Sequence, residues 1–233
     1  MPQPQTRPYG SWRSPITSEL IVAGTISLGQ IALDGQDIYW IESRPTEGGR
    51  YVVVRQRLPT GVIADLTPPA FNVRTRVHVF GGGAYAVDGG TLYFANDRDQ
   101  RLYVQRPGEE PTPITPPLKL RYADLQVDRQ RDRLICVRED HTVGDQEAVN
   151  TLAAVDLQGG ASEVLVSGRD FYASPRLSPD GSRLAWLSWN HPNMPWDGCE
   201  LWVARVLPNG SLGDAQRVAG GSQESIFQPE WSP

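Results

Sequence analysis

Lysine is all but missing from this chain: Lys119 stands alone among 22 basic residues, which are spread along the sequence without a cluster. With a net charge of −5, that scarcity argues against nucleic acid as a partner, because phosphate binding needs a basic stripe. Cysteine is nearly absent too. Cys136 lies in an apolar segment and Cys199 beside another, neither with a Cys-x-x-Cys companion, so buried free thiols are expected rather than a disulfide or a metal site. No apolar run approaches the about 18 residues of a membrane span. The segment from Met1 to Trp12 also lacks the apolar core of a signal peptide, so a cytoplasmic protein with no membrane partner is expected. No helical period persists for about 12 residues, which leaves helix nearly absent.

What the chain does have is one strand pattern used four times. Ile31-Ala32-Leu33-Asp34-Gly35 leads into Ile38-Tyr39-Trp40-Ile41, and Ala84-Tyr85-Ala86-Val87-Asp88-Gly89-Gly90 leads into Leu92-Tyr93-Phe94-Ala95. Leu125-Gln126-Val127-Asp128 precedes Leu134-Ile135-Cys136-Val137, and Leu177-Ser178-Pro179-Asp180-Gly181 precedes Leu184-Ala185-Trp186-Leu187. The turn residues fall at intervals of 54, 40 and 52, close to the about 40–50 residues of a propeller blade. A second register, Leu66-Thr67-Pro68-Pro69 and Ile114-Thr115-Pro116-Pro117, repeats after 48 residues. The fold expected is all-β, a partial β-propeller.

The expected order is an N-terminal arm over residues 1–27 with a short helical turn near Ser14, then blades at about 28–70, 77–118, 121–168 and 171–221. Phe227-Gln228-Pro229-Glu230-Trp231-Ser232-Pro233 repeats the opening of the fourth blade and reads as the first strand of a fifth, so the chain is expected to be a fragment of a longer protein. Trp40, Phe94, Trp186, Tyr103 and Trp202 are expected to fill the seams between blades. Gly81-Gly82-Gly83 is expected to let the chain pass close to the propeller axis.

Loops joining the second and third strands of every blade emerge on the same rim, so their residues can be compared as one surface. Arg44, Glu47 and Arg50 lie in the first; Asn96 to Arg101 form the second; Arg138, Glu139, Asp140 and His141 open the third; His191, Trp196 and Asp197 lie in the fourth. Charge pairs and histidines in one place mark a candidate substrate-binding or domain-interface rim, although charged hairpin tips are also ordinary solvated surface. Glu139-Asp140-His141 has the residue types of acid–base or metal chemistry, but consecutive residues point apart and no second histidine sits at ligand spacing, so a salt-bridged loop is the simpler account. His78 is read as a structural residue of the inner strand or central channel. Trp189, Met194 and Trp196 fit no strand alternation and are read as an apolar surface for a partner or substrate. No Gly-x-Ser-x-Gly elbow occurs, and no histidine has a serine in a nucleophile context. The chain by itself is therefore expected to hold no catalytic residue, metal or cofactor.

Tyr9-Gly10-Ser11-Trp12-Arg13-Ser14-Pro15, the Arg44-Pro45 to Gly49-Arg50 segment, Arg74-Thr75-Arg76-Val77-His78 before the three glycines, Arg138-Glu139-Asp140-His141, and His191-Pro192-Asn193-Met194-Pro195-Trp196-Asp197 together resemble the N-terminal propeller of prolyl oligopeptidase family serine peptidases, in the dipeptidyl aminopeptidase and acylaminoacyl-peptidase-like branch. The resemblance implies a propeller of about seven or eight blades capping a C-terminal α/β-hydrolase domain whose triad cleaves short peptides. It thus implies that domain and short peptides as partners, and a gating, substrate-selecting role for this portion. Val79-Phe80 departs from the acidic residue and tyrosine that the family pattern leads one to expect. Two other readings of the residues stand beside it: a stand-alone protein-binding propeller, and a propeller enzyme with a metal in its channel.

Overall fold

A hairpin with alternating apolar residues buries its faces only by stacking on another sheet, and four such sheets in series stack face to face. The structure, a computed structural model, describes residues 6–22, 24–79, 81–142, 144 and 147–232. Blade one comprises β1 (Ser27–Asp34), β2 (Asp37–Arg44), β3 (Arg50–Arg57) and β4 (Val62–Asp65). Blade two comprises β5 (Tyr85–Asp88), β6 (Thr91–Ala95), β7 (Leu102–Gln105) and β8 (Thr112–Pro113). β9 (Leu120–Asp128), β10 (Arg133–Asp140), β11 (Val149–Asp156) and β12 (Ser162–Val166) form blade three; β13 (Phe171–Leu177), β14 (Arg183–Trp189), β15 (Glu200–Arg205) and β16 (Gln216–Gly220) form blade four. Each is an antiparallel meander whose strands pair in chain order. Among the described residues helix is confined to α1 (Ser18–Val22) and a 3-10 turn at Pro45–Glu47. α1 starts at Ser18 rather than near Ser14 because Thr17 caps it, its hydroxyl accepting the Leu20 N–H at 3.1 Å.

The core lies in the seams. Tyr39, Ile41 and Val53 of blade one meet Tyr85, Leu92 and Phe94 of blade two. Leu102 of blade two packs with Tyr122, Leu134 and Cys136, and Ile135, Val137 and Leu152 pack with Tyr172, Leu184 and Trp186. Of the five aromatic residues expected in these seams, Phe94 and Trp186 are buried, whereas Trp40, Tyr103 and Trp202 are only half-buried. The two half-buried tryptophans keep their indole N–H on carboxylates, Trp40 on Glu42 at 3.0 Å and Trp202 on Glu200 at 3.2 Å, which suits an apolar ring with one wet edge.

Both sequence registers have a physical role. Thr67 and Thr115 are buried, and each hydroxyl accepts the N–H of a third-strand residue, Val53 at 3.2 Å and Leu102 at 3.0 Å. At the turns, Asp34 accepts the Gly90 N–H at 2.6 Å, Asp88 pairs with Arg129, and Gln130 donates to the Asp180 carbonyl at 2.8 Å. The three successive seams are thus pinned on one face.

Near the axis, the inner strands bulge at Gln30, Asp124 and Ser174, with φ of 46°, 55° and 50°. These residues stitch neighbouring blades: Gln30 accepts the Ala84 N–H at 2.7 Å, and the Asp124 carboxylate accepts Gly83 N–H at 2.6 Å and Ser174 N–H at 2.8 Å. A Cβ on Gly82 would lie 3.0 Å from that of Ala123, so this glycine run permits the close approach its sequence suggests.

Two expectations change. Residues 74–79 and 81–84 form a connection, with β5 opening only at Tyr85, so His78 sits in a turn and not in an inner strand. Phe80 lies outside the described residues. Residues 227–232 are not assigned to a strand. They instead lie along β13, where Trp231 Nε1 donates to the Arg176 carbonyl at 2.8 Å and Arg176 pairs with Glu230 at 2.9 Å.

Candidate functional site at the rim

Loops after the second strand and connections into the next blade leave by the same side of a meander, so residues far apart in sequence meet at one rim. A cavity of about 560 Å³ opens there, lined by the turn at His78 and Val79, by Arg121, Glu139, His141, Val149 and Asn150 of blade three, and by Phe171, Trp189, His191 and Met194 of blade four. Glu139 is buried in its floor. It accepts the His78 backbone N–H at 3.0 Å and Arg121 at 3.1 Å, and His141 Nε2 lies 2.8 Å away. Glu139 and His141 share a side because they are two residues apart at the end of β10, while Asp140 points away and is bound by the amide and hydroxyl of Thr142 at 2.9 and 2.6 Å. Burial raises the Asp140 pKa, but those Thr142 bonds and the charge of Arg138 outweigh it and hold the carboxyl below its ordinary value.

The other wall is aromatic. Phe171 and Trp189 stack at 5.4 Å with 17° between planes; His78 meets both edge-on at 5.3 and 5.6 Å, and His191 meets Phe171 edge-on at 4.9 Å. Burial lowers the His78 pKa against the opposing pull of Glu139, Asp124 and a hydrogen bond to Asn150. Trp189 is therefore not the surface residue its loop-side position suggests. It is the last residue of β14 and only 5% exposed.

Of the rim residues read from the sequence, the cavity brings together Glu139, His141 and His191. Arg138 lies on the other face of β10 and donates to Ser162 Oγ at 3.0 Å. Arg44, Glu47 and Arg50 form a separate network in blade one: Arg44 binds Glu42 and Asp65 at 2.7 Å each, and Arg50 donates to Glu47 at 2.7 Å. Asp197 turns inward on its own loop and accepts the Met194 N–H at 2.9 Å. Trp196, 65% exposed, lines a second cavity of about 690 Å³ beside the inner strands, together with Asp124, Ser174 and Phe227. His78 and Trp189 line both cavities. Arg121 and Phe171 had no sequence signal of their own; Arg121 is placed by its register opposite Glu139. Among the described residues no three His, Cys, Asp or Glu side chains form a metal-binding group.

No protein-family model and no curated protein matches the chain. Among solved structures, a Mycobacterium tuberculosis puromycin-hydrolyzing peptidase is 38% identical, with a TM-score of 0.84 over 96% of this chain and 37% of its own. A puromycin hydrolase is 36% identical, with a TM-score of 0.86 over 97% of this chain and 37% of its own. This chain thus spans little more than a third of the length of those two proteins. The acylaminoacyl peptidase of Pyrococcus horikoshii, 8% identical with a TM-score of 0.59 over 89% of this chain and 34% of its own, shares the fold alone. With propeller blades throughout and 36–38% identity to puromycin hydrolases along nearly its whole length, the chain matches the N-terminal propeller portion of these prolyl oligopeptidase family peptidases.

Proposed function

We propose that this chain is the gating and substrate-selecting portion of a cytoplasmic serine peptidase of the dipeptidyl aminopeptidase or acylaminoacyl-peptidase type, with a C-terminal α/β-hydrolase domain as partner and short peptides as ligands. The rim cavity carries the reading. Its volume of about 560 Å³ admits a short peptide and excludes a folded chain, and it falls within the about 300–1,000 Å³ of small-ligand sites. Its polar floor at Glu139 and its aromatic wall at Phe171 offer orientation and apolar contact at once. The buried free thiols of Cys136 and Cys199 support a reducing compartment. Chemistry falls to the partner domain, since this chain has no nucleophile elbow.

Calorimetric titration of the chain with di- to tetrapeptides tests the reading. Binding should saturate, and Glu139→Gln should weaken it by about tenfold, because it loosens the Arg121 and His141 contacts that shape the cavity floor. No binding by any short peptide would end the proposal. A second reading, a protein-binding propeller, is favoured by Trp196 and Phe227, which leave 65% and 82% of their surface exposed beside the axial cavity.

A further inference from the structure

We propose that the rim cavity is a subsite for one aromatic side chain of a short peptide, an inference that rests on the peptide-binding reading above and names what is selected. The argument begins with which groups are already committed. Glu139 holds three neighbours, and Arg121 divides its guanidinium between that carboxylate and the Arg76 carbonyl at 3.0 Å. Arg169 is bound to Glu200 at 2.9 Å with its guanidinium over the Trp202 ring, and Asp170 accepts the His191 N–H at 2.9 Å. A charged ligand group would have to displace an existing partner of Glu139, Arg121 or Arg169, while Asp170 and Glu147 are exposed carboxylates of the lining.

Apart from those two carboxylates, the uncommitted surface is apolar. Val79 and Val149 leave 87% and 50% of their surface exposed at the mouth, Met194 lies beside them, and the exposed His191 ring stands edge-on to Phe171. Rings attract one another through complementary faces and edges beyond the area they bury, and a thioether adds a favourable contact with a ring. A further ring entering between the His191–Phe171 pair and the valines meets that arrangement. An aliphatic side chain of similar area gains burial alone.

Nuclear magnetic resonance titration of the chain with the amides of Phe-Gly, Leu-Gly and Ala-Gly reads this directly. Phe-Gly amide is expected to bind about fivefold or more tightly than Leu-Gly amide, the equivalent of one aromatic pair, with shifts centred on His191, Val149 and Phe171. Val149→Asp, at the exposed first residue of β11, and His191→Ala should each erase the preference for the aromatic peptide. Equal binding of the Phe and Leu peptides overturns the subsite while leaving peptide binding intact, as do shifts centred on Trp196 and Phe227. Failure of all three peptides to bind overturns both readings.

Discussion

Asp124 and Gly83 are joined twice across the seam between blades two and three: the carboxylate accepts the Gly83 N–H at 2.6 Å, and the Gly83 carbonyl accepts the Asp124 N–H at 2.7 Å. The same carboxylate holds Ser174 of blade four, so one side chain ties three blades. Asp124→Ala should destabilise the protein by about 2–4 kcal/mol, through lost charge-assisted bonds and an unsuited positive φ. Asp124→Asn keeps the shape and tolerates that φ, and should lose less than half as much. Urea denaturation of both variants measures the difference.

Gly160 has a φ of +66°, and a Cβ there would fall 2.0 Å from the Ile114 carbonyl oxygen, in the connection leaving blade two. Gly108 has a φ of +79° with nothing within 4 Å. Gly108→Ala should therefore cost about 1 kcal/mol, the backbone contribution alone, whereas Gly160→Ala should cost about 3 kcal/mol or more because the seam must open. Equal thermal shifts for the two would refute a close approach at that seam.

Burial holds the His78 pKa below its ordinary 6.5. The unfolded chain therefore takes up a proton on this residue before the folded one does. His78 favours folding fully above pH 6.5, and its contribution falls away as the solution is acidified through 6.5 towards the lower folded value. The stability of the wild-type chain should decline more steeply between pH 7 and pH 5 than that of His78→Phe. Parallel curves would count against a buried neutral ring.

Burial pushes the Cys136 thiol up to about 12. The thiolate needed for alkylation is then scarce at neutral pH. Iodoacetamide should label Cys136 in the folded protein only at the rate of unfolding, and denaturant should accelerate it in step with loss of structure.

The blades were legible because their grammar is local. An Asp-Gly turn between apolar strands needs only a few adjacent residues, and the paired threonines at 67 and 115 repeat a contact made inside each blade. The rim was only half legible. Glu139 and His141 follow from period two on one strand, but Phe171 and His78 meet across seams whose bulges shift the register, and no single sequence interval records that. Arg44, Glu47 and Arg50 look alike in sequence to the residues of blade three, yet their charges satisfy one another within a single hairpin. Trp189 was misread because a strand's last residue and a loop's first look the same without a pairing partner in view.

His78 and Trp189 line both the rim cavity and the axial one. A lean of either ring would alter the lining of both spaces. Any coupling between occupants of the two spaces through these rings would act by the same factor in both directions. Such coupling needs no movement of the blades, only a change in how two rings lean.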